Sequence, residues 1–107
     1  MPELSWEESA FIEAIEHSPG DDAPKLVYAD WLEENGEEQV ASFVRGWVYV
    51  YRLFVSRRHI TELYRSRIQL QNEYYAVANR LNNNLRKVMI QNFDEIRVSM
   101  PIKPSLH

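Results

Sequence analysis

Apolar residues recur along this chain at intervals of three and four, the spacing of helices that each bury one face. Phe11, Ile12, Ala14 and Ile15 form the first run, which Ser18-Pro19-Gly20 interrupts. Ser5-Trp6-Glu7-Glu8 precedes it with the Ser-x-x-Glu spacing of a capping box, so a helix is predicted over 5–17. Leu26, Val27, Ala29, Trp31 and Leu32 predict a second helix over 22–35. A carboxylate of Asp21 or Asp22 suits its positive end, Pro24 its first turn, and Asn35-Gly36 its stop. A third helix, over 37–55, takes up Val40, Phe43, Val44, Trp47, Val48, Tyr51, Phe54 and Val55.

That third segment is unusually apolar. From Phe43 to Val55 only Arg45, Gly46 and Arg52 are neither apolar nor aromatic. The run is too short and too charged to cross a membrane, which takes roughly 20 apolar residues. Trp47-Val48-Tyr49-Val50-Tyr51 also suits a strand by propensity, but residues 95–100 are its one candidate partner and a lone pair of strands is marginal. Helix is therefore the reading that fits.

Ser56-Arg57-Arg58-His59 contains neither Pro nor Gly, which leaves a kink and a short turn both open. Beyond it a long helical pattern runs over 59–93. Positions 60, 63, 67, 70, 74, 77, 81, 84 and 88 read Ile, Leu, Arg, Leu, Tyr, Val, Leu, Asn and Val, a packing seam. A neighbouring row of Tyr64, Ile68, Tyr75, Ala78, Leu85 and Met89 widens it. The expected fold is all-α: two short acidic helices, an apolar third helix and a long basic C-terminal helix. Residues 1–45 form the acidic segment and 46–98 an extension of the same domain. Residues 99–107, with two prolines, are expected to be a flexible tail.

A chain of 107 residues has room for one domain with a modest core, and its 13 aromatic residues argue against disorder. The absence of cysteine excludes a disulfide scaffold, a thiolate metal site and a cysteine nucleophile together. Gly20, Gly36 and Gly46 are isolated, so no phosphate loop is present, and there is no His-Glu-x-x-His pattern. His17, His59 and His107 lie far apart; His59 and Glu62 are one helical turn apart but lack a third ligand. The acids of residues 33–38 lack the alternating spacing of a calcium loop. No catalytic residue, metal, cofactor or small-molecule substrate is therefore expected. The acidic start has no apolar signal core, so a cytoplasmic location is expected.

Charge is divided unevenly. Residues 1–44 hold twelve acids against Lys25 alone, net −11, whereas residues 45–107 hold nine Arg and two Lys against Glu62, Glu73, Asp94 and Glu95, net +7. Either the basic half folds back on the acidic half, or it meets an external polyanion. Arg67 poses the same question locally. It interrupts the seam between Leu63 and Leu70, and a charge there needs a partner, expected from residues 1–44 or from another chain.

One segment is more specific. Leu26-Val27-Tyr28-Ala29-Asp30-Trp31-Leu32-Glu33-Glu34-Asn35-Gly36, followed by Ala41-Ser42-Phe43-Val44-Arg45, resembles the short repeat-companion domain of certain bacterial proteomes. The likeness covers roughly residues 7–45. It implies a small helical recognition or scaffolding module, often found beside leucine-rich or propeller-type repeats, with no catalytic residues attached. The apolar run through Val55 replaces the polar spacer usual in that family, so residues 46–107 are expected to have a role of their own. Within the motif, Tyr28, Trp31 and Leu32 share one side of the second helix and can pack on Phe11, Ile15, Phe43 and Val44. Asp30 either meets Arg45 from the third helix or is an ordinary solvated carboxylate.

Two functions emerge. The first is a non-catalytic protein-interaction or scaffolding subunit, part of a homo-oligomer or larger assembly. Its aromatic anchors would be Trp47, Tyr49, Tyr51 and Phe54, because aromatics dominate interface hot spots. The alternative is a nucleic-acid-binding accessory subunit of a nucleoprotein complex. Arg58, Arg65, Asn72, Asn79 and Arg86 recur every seventh residue opposite the seam, flanked by Arg57, Arg80 and Lys87, and such a stripe can follow a phosphate backbone.

Overall fold

A computed structural model of the chain describes the backbone of residues 5–99 and the side chains of residues 5–94. Five α-helices follow one another: α1 (Trp6–His17), α2 (Asp22–Glu34), α3 (Glu38–Ser56), α4 (Ile60–Val77) and α5 (Asn83–Ser99), with a 3-10 turn over Ala78–Arg80. No strand occurs among the described residues, including 47–51 and 95–99. The fold is all-α.

Local chemistry sets the helix ends. The Ser5 hydroxyl accepts the Glu8 N–H at 3.1 Å, and the Asp21 carboxylate accepts the Ala23 N–H at 3.1 Å, each satisfying a donor that a helix start leaves free. Gly36 closes α2 at φ +83°, a left-handed conformation that costs glycine little, and the Glu37 N–H reaches back to the Leu32 carbonyl. The open question at residues 56–59 resolves as a turn. Arg57 takes the left-handed conformation at φ 58° and caps α3, the one non-glycine residue among those described to do so. For an L-residue that conformation costs about 1 kcal/mol.

The long helix expected over 59–93 is two helices. After Val77 the chain tightens into the 3-10 turn, Leu81 is extended, and Asn82 caps α5 by accepting the Asn84 N–H at 2.8 Å. Asparagine competes with helical hydrogen bonds through its own side chain, and the run Asn82-Asn83-Asn84 does so at this point. The seam consequently changes phase. Leu85, Val88, Met89 and Asn92 are buried, while Asn84 is exposed. Arg80 lies beside Glu37 at the start of α3, and Asn92 beside Trp47 further along it, so α5 runs parallel to α3 and antiparallel to α4. Of the tail expected over 99–107, Ser99 is instead the last residue of α5, and residues 100–107 lie outside the described residues.

α3 is the central element, packed by α2, α4 and α5 on different sides, which accounts for its nearly all-round apolar surface. Phe43, Val44, Trp47 and Val50 from α3 form one core with Ile12 and Ile15 of α1 and Tyr28 and Leu32 of α2. Leu63, Leu70 and Val77 of α4 and Leu85 and Met89 of α5 complete it. Gly46 sets the α3–α4 approach: a Cβ there would sit 3.1 Å from Leu70 Cδ1.

Candidate interaction surface

Three arginines of the basic half turn back onto the acidic half. Arg45 reaches Asp30 at 2.8 Å and Glu33 at 2.7 Å, and Arg52 reaches Asp22 at 2.6 Å. Of the two alternatives for Asp30, the pair with Arg45 is the one present, though its exposure limits it to under about 1 kcal/mol. Arg80 goes deeper. It donates through Nε and Nη2 to both carboxylate oxygens of Glu37 at 2.6 Å and meets Glu8 Oε2 at 2.8 Å. The same Glu8 oxygen accepts the Tyr28 hydroxyl at 2.7 Å, and both Glu8 and Tyr28 are buried. Four side chains from α1, α2, the α2–α3 turn and the 3-10 turn are so tied into one polar knot.

The knot has a pH consequence. Burial, then the hydrogen bond to Glu8, pushes the Tyr28 phenol well above its usual 10.0. Below pH 10 both folded and unfolded chains keep that proton. Above it the unfolded chain releases the proton and the folded one does not, so stability is lost by up to about 1.4 kcal/mol per pH unit. Lys25 has the opposite sign: burial lowers its ammonium from 10.5, partly offset by Asp22 and Asp21, so its penalty fades as pH rises towards 10.5. Urea midpoints are therefore expected to fall above about pH 10.5, and Tyr28→Phe to flatten that fall. Equal slopes in the two proteins would contradict the assignment.

The aromatic anchors expected on α3 need correction. Trp47 is 1% exposed, its indole N–H donating to Asn92 Oδ1 at 2.9 Å, so it belongs to the core. The Lys25 ammonium lies 5.1 Å from its ring centroid and 5.5 Å from that of Tyr51, while donating to the carbonyls of Pro19 and Asp21. Tyr51 and Phe54 are half-buried against each other at 5.6 Å. Tyr49 alone of the four is exposed, and its hydroxyl donates to Glu62 at 3.1 Å. Trp47 is covered because α5 folds back over α3, which a single long helix would not do.

The Arg/Asn row is distributed over several elements. Arg57 and Arg58 sit in the α3–α4 turn, Arg65 and Asn72 on α4, Asn79 in the 3-10 turn and Arg86 on α5. Arg65 is paired with Glu62 at 3.3 Å, and Arg86 is half-buried and donates to Asn83. Because α5 reverses direction, the row does not continue as one line past residue 79, and Arg80 beside it points inward.

Arg67 departs from expectation in an informative way. Among the described residues no carboxylate pairs with it, and its Nε is buried without an acceptor. Neither α1 nor α2 packs substantially against α4, and no acid of either helix pairs with Arg67. Arg67 instead lines a groove of about 260 Å³ between α4 and α5, with Gln71, Tyr74, Tyr75, Met89, Ile90, Phe93 and Asp94. α5 packs on α1 and α3 rather than against α4, which leaves that groove open. Tyr75 is 70% exposed and Ile90 50%, one from each wall, and Ile68 on the adjoining face of α4 is 53% exposed. The row containing Ile68 and Tyr75 was the available sequence signal: it made the apolar stripe wider than α3 can cover.

A second groove of about 300 Å³, between α3 and α4, is polar, and its carboxylates are already engaged. Glu62 accepts from Tyr49 and Ser66, and Glu73 from Gln69. Among the described residues no group of three His, Asp or Glu side chains could hold a metal ion, and no helix is long and apolar enough to cross a membrane. The chain matches no family model, no curated protein and no solved structure.

Proposed function

We propose that this chain is a non-catalytic protein-interaction or scaffolding module that works within a homo-oligomer or larger assembly. The observation that carries the reading is the open α4–α5 groove, where Tyr75 and Ile90 stand exposed on opposite walls around Arg67, which pairs with no carboxylate among the described residues. Large apolar side chains grouped at a concave surface are a feature of docking sites, and aromatic and arginine side chains are the usual anchors. The resemblance of residues 7–45 to repeat-companion domains supports the same class of function. The docking surface then lies on α4 and α5, and Tyr49 on α3 is peripheral to it.

A role as an accessory subunit of a nucleoprotein complex would rest on Arg57, Arg58 and Arg65, because the remainder of the row is interrupted. One experiment separates the two. Tagged full-length chain recovered from the cells that make it is expected to retain a defined polypeptide, further copies of itself included. Tyr75→Asp should release it while helical circular dichroism stays unchanged. Retention of nucleic acid instead, unaffected by Tyr75→Asp and lost when Arg57, Arg58 and Arg65 become Gln, would overturn the proposal.

A further inference from the structure

The hairpin of residues 60–99 differs in charge from the rest of the chain. It carries six cations and four acids, against a net −11 in residues 1–44. Arg80 is consumed inside the bundle by Glu8 and Glu37, which leaves four cations and three acids among the described side chains of residues 60–94. A surface so nearly balanced offers little complement to a strongly acidic or strongly basic partner. It does complement a second copy of itself.

The groove repeats that balance. Arg67 lines it, half-buried and with no carboxylate paired to it among the described residues, and Asp94 lines it as well. A two-fold axis places the same patch on both sides of an interface, so that residue i of one copy meets residue j of the other and the reverse. Such an axis across the groove sets Arg67 of each copy against Asp94 of the other. Asp94 is already engaged within its own chain. A carboxylate offers about four acceptor positions, and a further guanidinium contact is within its capacity. The same operation covers Tyr75 and Ile90 of each copy with those of the other and removes their exposed apolar surface from water.

We infer that the α4–α5 groove is a two-fold self-association surface, in which Tyr75 and Ile90 are mutually covered and Arg67 of each copy pairs with Asp94 of the second. This rests on the interaction reading above and names its partner. Sedimentation equilibrium of the full chain up to about 100 µM is expected to show a dimer, a concentration at which even weak standard-size interfaces are populated. Tyr75→Asp and Ile90→Asp, both at exposed positions, should give folded monomers.

The charge test is more specific. Arg67→Asp alone, or Asp94→Arg alone, sets two like-charged pairs across the interface and should raise the dimer Kd by more than about a hundredfold. Mixing the two variants should restore a dimer, because only across unlike copies do opposite charges then meet. The exposed Asp94→Arg variant keeps the like-charge arm interpretable should Arg67→Asp fold poorly, since Asp94→Arg alone should already give a monomer. A dimer indifferent to Tyr75→Asp, or variants whose mixture stays monomeric, would overturn the inference. A monomeric wild type that retains a different polypeptide through Tyr75 would overturn the second copy and leave the interaction reading standing; one that retains nothing would overturn both.

Discussion

Arg80→Met is expected to destabilise the domain by about 3–5 kcal/mol, the cost of breaking a buried ion pair from one side. Glu8 is 4% exposed and would lose the one cation that meets it among the described residues, while keeping the Tyr28 hydroxyl as a donor. Thermal circular dichroism should show Tm falling by at least about 12 °C, since 1 kcal/mol is worth about 4 °C or more in a domain of this size. Adding Glu8→Gln removes the stranded charge and should recover part of the loss, which makes the pair a double-mutant cycle. A Tm within a few degrees of wild type after Arg80→Met would show that the knot does not hold the fold.

Trp47→Ala should be as damaging for a different reason. Removing a fully buried indole costs about 3–5 kcal/mol in lost transfer energy and residual cavity. The substitution also strips Asn92 of its donor and Lys25 of one of its two aromatic faces. Against a total stability of about 5–15 kcal/mol for an ordinary domain, that is a large share. Association and helicity are therefore expected to disappear together in Trp47→Ala, whereas Tyr75→Asp removes association alone. A Trp47→Ala protein that keeps its fold within a few degrees of wild type would contradict the burial of this side chain.

The legible features in the sequence were those whose physics is local. Ser5, Asp21 and Gly36 each act within three or four residues of themselves, and each sits where its spacing predicted. The end of α4 was not legible, because Leu81 continues the seam in register while the residues around it hold no proline or glycine. Only the side-chain cap at Asn82 marks the break, and asparagine also occurs in solvated helix faces. Trp47 shows a second limit. An aromatic in an apolar run looks the same whether another helix or another molecule covers it, and the difference lies in where α5 goes. The long-range groups of the polar knot are 20 to 72 residues apart along the chain, and no periodicity links them.

Lys25 gives the domain a built-in chemical clock. Its amine lies fully inside, with 0% of its surface exposed, roofed by Trp47 and Tyr51 and bonded to two carbonyls of the α1–α2 connection, whereas Lys87 on α5 is open to solvent. An acylating reagent can reach Lys87 in the resting molecule but must wait for an opening event to reach Lys25. When reclosing outpaces acylation, the modification rate at this one site measures the fraction of time that α1, α2 and α3 spend apart. An enzyme that acetylates lysines in a cell would meet the same barrier, so a modified Lys25 would record that the chain was captured either before it had folded or while these helices were apart.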